Sequence, residues 1–327
     1  MNKDYNANDE VLELFKTNRQ NTEENPKIKI IGLGNSGINT VNRMISEGLS
    51  NVEFLLMSAD SQLLEFGKTN NKILLGTEGL GTGGNPALGE KLAKDAEQEI
   101  AKAIKGADMV FITTGMGGGV STGASPVVAK IAKELGILTV AIVTKPFSWE
   151  ESKRITRSNV GIENLRKYAN AVIVIENDRV IQTVEKQISL KEYFSIIGKI
   201  MLNIMNSILG IITTTGMIDV NFADIKNFMQ SAGLAYVGIG QAQGENRAIK
   251  AAEKAINSQL LEISIKGATD LIVNITSGLD LTLHEIADVA NVVQNAVSKD
   301  AKVIVGDVLD ENFKGIKVTI IAAGFKK

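Results

Sequence analysis

From Lys27 onward, short apolar runs alternate with segments of helical period. The runs are Ile28 to Ile31, Val52 to Met57, Met109 to Thr113, Leu138 to Val143 and Ala171 to Ile175. Each predicts a strand feeding a loop and then a helix. Strand, loop and helix repeated in this order predict a parallel sheet covered on both faces. Between Leu190 and Ile212, the residues Leu190, Phe194, Ile197, Met201, Ile204 and Ile208 recur at spacings of three and four, which predicts one long helix. Its other faces are also apolar, so it is expected to lie buried between two domains. After a turn at Thr215-Gly216, a smaller α/β unit is predicted. It has helices from about Phe222, over Ala248 to Asn257 and over Leu283 to Val297, and strands over Leu271 to Ile275, Val303 to Gly306 and Lys317 to Ala322. Before Lys27 the pattern is missing. Met1 to Pro26 is rich in Asn, Asp, Glu and Lys, with one apolar cluster at Val11, Leu12, Leu14 and Phe15, and reads as a disordered tail. The expected organisation is thus a tail over 1–26, a parallel-sheet α/β domain over 27–188, a central helix and connection over 189–215, and a smaller α/β domain over 216–327.

Composition narrows what such a chain can do. At 327 residues and 44% hydrophobic, it is long enough for two domains with real cores. A net charge of −2 gives no basic field to hold nucleic acid or an anionic membrane. There is no cysteine, and the single histidine, His284, does not make a zinc site, so no dedicated metal cluster is expected. His284 reads as an ordinary surface residue near a helix start. No apolar run is expected to approach the ~20 residues of a membrane span, and the N-terminus lacks the pattern of a signal peptide. A soluble, cytoplasmic protein without direct membrane insertion is the expectation.

The chemistry lies in glycine-rich loops. Gly32-Leu33-Gly34-Asn35-Ser36-Gly37 follows the first strand and opens a helix, with Asp60 at the end of the second strand, which fits the dinucleotide fingerprint. By itself the motif serves equally as a phosphate-facing helix N-terminus or as a tight strand-to-helix turn. A second loop, Gly115-Met116-Gly117-Gly118-Gly119-Val120-Ser121-Thr122-Gly123, has more glycine than a turn needs. Two such loops at the carboxyl ends of neighbouring strands describe a polyphosphate site. A third segment, Gly79 to Pro86, contains Gly84 and Asn85 and is expected to close over the terminal phosphate. A dehydrogenase built on the first loop and Asp60 is disfavoured by the second loop.

With these motifs the chain resembles the FtsZ branch of the tubulin superfamily. The resemblance is carried by Gly115-Met116-Gly117-Gly118-Gly119 with Thr122-Gly123-Ala124, Gly106-Ala107-Asp108-Met109-Val110-Phe111, Thr144-Lys145-Pro146-Phe147, Asn177-Asp178-Arg179, Asn221-Phe222-Ala223-Asp224, Gly238-Ile239-Gly240 and Gly244-Glu245-Asn246-Arg247-Ala248. It runs from about Lys27 to Phe325. It implies a GTP/GDP-binding domain whose site is completed by the second domain of the next subunit, in a head-to-tail homopolymer acting in bacterial cell division. The phosphate contacts then fall on Gly34, Gly37, Gly117, Gly118, Gly119, Thr122 and Gly123. Ribose and switch positions fall on Glu150 and Arg154, and base contacts on Asn39, Asn177 and the ring of Phe194. Asn35, Ser36, Asp60, Gly84, Asn85, Val120, Ser121, Pro146 and Gly198 complete the implied nucleotide set, with Mg²⁺ held mainly by phosphates and water. Another FtsZ and membrane-tethering division proteins are the further partners implied, at the division site.

Several positions depart from the family. Asn35 and Ser36 interrupt the first glycine run, while Val120 and Ser121 stand where the family has threonine and glycine, which weakens phosphate binding. Gly198 replaces an aspartate that accepts hydrogen bonds from guanine, so Gly198→Asp is expected to tighten guanine binding. In the catalytic loop, Asp219, Asn221 and Asp224 are the implied residues, and Asn221 replaces one of two acids. An asparagine orients water but takes no proton at neutral pH. Slow GTP hydrolysis is therefore expected, and a non-hydrolysing FtsZ paralogue is the alternative. Both Asp219 and Asp224 also fit a plain helix-capping role. Trp149 is expected to pack beside the nucleotide loop rather than to serve a ligand.

Overall fold

The computed structural model describes residues 26–185, 187–213, 221–260 and 264–325. The expected tail apart from Pro26, the turn at Thr215-Gly216 and Asp219 lie outside the described residues. Among the described residues, ten strands form one continuous hydrogen-bonded sheet: β1 (Ile28–Leu33), β2 (Glu53–Ser58), β3 (Lys72–Leu74), β4 (Met109–Gly115), β5 (Leu138–Lys145), β6 (Ala171–Glu176), β7 (Gly233–Ala242), β8 (Asp270–Ser277), β9 (Lys302–Leu309) and β10 (Ile316–Ala323), in the order β3-β2-β1-β4-β5-β6-β7-β10-β8-β9. From β3 to β7 neighbours are parallel, while β10 runs antiparallel to both β7 and β8. This is the mixed α/β architecture that the strand-helix pattern predicts.

The parallel strands are apolar on both faces because helices cover both. In β4, Met109 and Phe111 face one core and Val110 and Ile112 the other. The helices are α1 (Gly34–Ser46), α2 (Ser61–Glu65), α3 (Pro86–Asp95), α4 (Glu97–Ile104), α5 (Gly119–Glu134), α6 (Ser152–Arg166), α7 (Asn177–Val180), α8 (Leu190–Thr213), α9 (Phe222–Ala232), α10 (Arg247–Ile256) and α11 (Leu283–Ala296). The second core contains residues of α3 to α6. The first contains α1, α8 and α9, and a third core packs α10 and α11 on β8 and β10.

Two strands escape the sequence pattern. β3 is three residues long, too short to show a period. β7, Gly-Leu-Ala-Tyr-Val-Gly-Ile-Gly-Gln-Ala, is rich in glycine and alanine and has low strand propensity. It exists because both of its edges are used. Gly233 to Ala235 pair with Ala171 to Ile173 of β6, and Tyr236 to Ala242 pair with Ala322 to Ile316 of β10.

Helix α8 also corrects an expectation. It is long and apolar enough, by length and composition, to cross a membrane, but most of its apolar stretch is buried within the protein. Tyr193, Ile197, Met201, Ile204, Met205 and Ile208 belong to the first core, and Val308 of β9 lies against Gly210. Burial against protein is what this apolarity serves. Ile204 is fully buried, so Ile204→Ala should lower stability by about 2–5 kcal/mol. Urea denaturation measures this; a loss below about 1 kcal/mol would show that α8 is not tightly packed at Ile204.

Candidate functional site

The strand order reverses direction between β1 and β4, and the carboxyl ends of strands at such a point are where open α/β sheets bind ligands. A cavity of about 830 Å³ opens there, between α1, the loop into α5, the segment after β5, and the N-terminal half of α8. Of the predicted residues, Asn35, Ser36, Asn39, Gly118, Ser121, Pro146, Glu150, Arg154, Asn177, Phe194 and Gly198 line it. They come from five separate stretches of chain.

The two glycine loops touch across β1 and β4, where the Thr114 hydroxyl donates to the Leu33 carbonyl at 2.8 Å. Helices α1 and α5 start at Gly34 and Gly119 without a side-chain cap, since Leu33 and Gly118 precede them. Their first N–H groups are left for an anion. The glycines themselves divide between ligand and packing. A Cβ on Gly37 would strike the Thr113 carbonyl, and Cβ atoms on Gly119 and Gly123 would strike Asn85 and Pro86. Close approach of α1 to the sheet and of α3 to α5 is thus what these glycines permit. Thr122 is buried, and its hydroxyl accepts the Gly117 N–H at 2.9 Å, which pins the loop from inside. Val120 packs into the second core.

The third glycine segment does not line the cavity. Asn85 caps α3, accepting from Ala87 N–H at 3.0 Å, and Arg157 donates to the Gly84 carbonyl. Asp60 likewise caps α2, accepting from Gln62 and Leu63 N–H at 3.0 and 3.2 Å. These three positions hold their loops in shape, a role their residue types fit as well as ligand contact.

Below the cavity, Glu176 pairs with Lys145 and Arg179, each at 2.8 Å. Burial works to raise this carboxyl's pKa, but the hydrogen bonds from Lys145 and Arg179 prevail and hold it below its ordinary value. The pairing fixes the ends of β5 and β6, from which Pro146 and Asn177 reach the cavity. Tyr193 donates to the Asn177 carbonyl at 2.8 Å; burial, followed by the Asp178 charge, pushes its hydroxyl pKa upward and keeps it a neutral donor. Glu150 accepts from Phe147 N–H at 2.8 Å and pairs with Arg154 at 3.1 Å.

At the far end, Phe194 stands 53% exposed, edge-on to Tyr193. Trp149 stacks on Phe147 at 4.9 Å as a packing residue would, yet it is 73% exposed and lines the cavity. Arg43 escapes the motif reading altogether, although Asn35, Asn39 and Arg43 stand four residues apart on one face of α1. Two buried polar atoms of the lining, Asn177 Oδ1 and Arg43 Nε, have no partner among the described residues.

Asn221 and Asp224 do not line the cavity. They form a capping box at the start of α9, in which Asn221 Oδ1 accepts the Asp224 N–H at 2.9 Å and the Asp224 carboxylate accepts the Asn221 N–H at 3.4 Å. His284 is exposed on α11.

Comparison with known proteins accords with this geometry. Residues 27–185 match the Tubulin/FtsZ family GTPase domain, and 233–326 match the FtsZ family C-terminal domain. An FtsZ dimer from M. jannaschii is 38% identical, covering 96% of this chain and 92% of that chain at a TM-score of 0.88. A tryptophan-to-tyrosine mutant of FtsZ from the same organism is also 38% identical, covering 97% and 95% at 0.87. CetZ1 from Haloferax volcanii, a GDP-bound monomer, shares the fold at 19% identity, covering 92% and 95% at 0.80.

The depressed Glu176 carboxyl gives a pH prediction. Its stabilisation is present above the unfolded value of ~4.3 and is lost as pH falls through the lower folded value. The wild type should therefore exceed Glu176→Gln in denaturation midpoint at neutral pH, and the gap should close in acid. A gap that stays constant with pH would mean that the charge is not what holds the two strand ends.

Proposed function

The chain belongs to the FtsZ family of tubulin-like GTPases, and on that premise we propose that the cavity holds GTP or GDP and that hydrolysis occurs where subunits meet head to tail. One observation carries this: two uncapped helix N-termini, of α1 and α5, lie at one end of a cavity whose other end carries Phe194 and Asn177. An anionic chain fits the first end and a flat, polar ring the second. Asn35, Ser36, Gly118 and Ser121 hold phosphates, with the backbone of Gly34, Gly37, Gly117 and Gly119. Glu150 and Arg154 hold the ribose side, and Mg²⁺ is held mainly by phosphates and water. The nucleotide domain spans 27–188, the central helix and its connection 189–215, and the second domain 216–327.

Self-assembly is supported by the dimer of the M. jannaschii relative. In the filament, Asn221 and Asp224 of one subunit face the phosphates of the next, and the site is complete only on assembly. Hydrolysis there is slow. Asn221 takes up no proton, and its side-chain oxygen is already committed to the α9 cap. That commitment also favours a second reading, a filament protein with no turnover. The proposed setting is the cytoplasm at the division site of a bacterium, with another FtsZ and membrane-tethering division proteins as partners.

Two measurements test this. Calorimetry should find guanine nucleotide binding, and Phe194→Ala should weaken it by about 1–3 kcal/mol through lost stacking; no binding at millimolar GDP or GTP would refute the proposal. Phosphate release, followed beside light scattering under GTP and Mg²⁺, compares wild type, Asn221→Asp and Asp224→Ala. Aspartate caps as well as asparagine, so Asn221→Asp should assemble normally and turn over about 10²–10⁴-fold faster. Equal rates would show that Asn221 does not limit the reaction, and no turnover in either would favour the second reading.

A further inference from the structure

We propose that Arg43 reads the 6-oxo group of the bound purine, so that the pocket selects 6-oxopurine nucleotides as a class, guanine and hypoxanthine alike. This rests on the nucleotide reading above and adds the chemistry that recognises the base.

Arg43 lies nine residues into α1, about 13 Å along the axis from the Gly34 N-terminus. That places it with Asn39, Phe194, Ser195 and Gly198 at the end of the cavity away from the glycine loops. Its guanidinium is already held at two points. One terminal nitrogen donates to Ser195 Oγ at 2.7 Å, and the other pairs with Glu47 at 2.7 Å. Nε is buried and has no partner among the described residues. Guanidinium offers five donors and no acceptor; Nε is shielded from the cavity, so the terminal N–H groups of this partly exposed, cavity-lining side chain, beyond those engaged by Ser195 and Glu47, are what it offers to an acceptor on the ligand.

Gly198 makes this placement possible. A Cβ there would stand 2.7 Å from Arg43 Cδ, so the missing side chain is the space that the arginine occupies. No carboxylate lines this end of the cavity; among the described lining residues the only acid is Glu150, which is tied to Arg154 and Phe147 N–H. The second orphan, Asn177 Oδ1, is a neutral acceptor. A 6-oxopurine presents acceptors at O6 and N7 and a donor at N1. Adenine keeps the N7 acceptor but presents a 6-amino donor in place of O6, so a guanidinium facing this edge meets two acceptors on a 6-oxopurine and one on adenine. Hypoxanthine differs from guanine only by lacking the 2-amino group, and no cation can read an amino group.

The same contact reverses the expectation for Gly198→Asp. A carboxylate introduced there would pair with Arg43 and withdraw it from the base, weakening guanine binding.

Calorimetry with GDP, IDP and ADP tests this without turnover. GDP and IDP should bind the wild type within about threefold of each other, and ADP about tenfold to a hundredfold more weakly. Arg43→Met should bring GDP and IDP down to the ADP level while leaving ADP unchanged, which also shows that the variant is folded. Arg43→Gln, which keeps one N–H donor, should fall between and stands in if the methionine variant does not fold. Gly198→Asp should lose GDP and IDP affinity together. IDP binding as weakly as ADP would mean that the 2-amino group is read, and the proposal fails. It fails too if Arg43→Met keeps the GDP preference, or loses all three ligands alike while remaining folded. Absence of any purine nucleotide binding by the wild type would overturn the functional reading itself, whereas GDP binding with a different selectivity overturns only the role of Arg43.

Discussion

Helix α8 has to bury most of its apolar stretch, and most of what surrounds the cavity depends on that requirement. A predominantly apolar helix of 24 residues leaves the fold with few options. Here it is packed under the parallel strands by Ile197, Met201, Ile204 and Ile208, and meets β9 where Val308 closes on Gly210. Its first turns then project past the strand ends, where the Tyr193 hydroxyl holds the Asn177 carbonyl. Phe194, Ser195 and Gly198 are positioned by the packing of the residues behind them. A rim carried on a buried helix is held more firmly than one carried on a loop.

The glycine loops face a related constraint from the other side. Helix α3 packs closely on α5, and that contact passes through Gly119 and Gly123, within the same run that presents N–H groups at the start of α5. One stretch of sequence therefore meets two demands, an open backbone toward a ligand and a flat backbone toward a neighbouring helix. Thr122 serves the loop in the same spirit, with its hydroxyl turned inward to Gly117.

Charge around the cavity is one-sided. Arg43, Arg154 and Lys191 line it, and Glu150, the only carboxylate among its described lining residues, is already paired. Anions are favoured throughout, and acceptors are favoured at the far end, where Arg43 lies against Gly198. The capping box of Asn221 and Asp224 belongs to a different logic. Its polar atoms satisfy the start of α9, so any work they do on a ligand of a neighbouring subunit competes with that local role.

The alternation of parallel strands and helices, the existence and span of α8, and the two loops that define the cavity are all legible in the amino-acid order, because period and glycine content are local properties written in consecutive residues. The family signature from Lys27 to Phe325 is legible in the same way. Other assignments came from packing. Gly37, Gly119 and Gly123 serve close contacts, Asp60 and Asn85 are helix caps, and the glycine-rich run of β7 becomes a strand only when β6 and β10 offer edges on both sides. Arg43 and Gly198 stand 155 positions apart, and their meeting depends on how α1 and α8 cross. Periodicity reports which face of an element is buried; what that face meets is fixed by packing between distant segments, and no local pattern carries it.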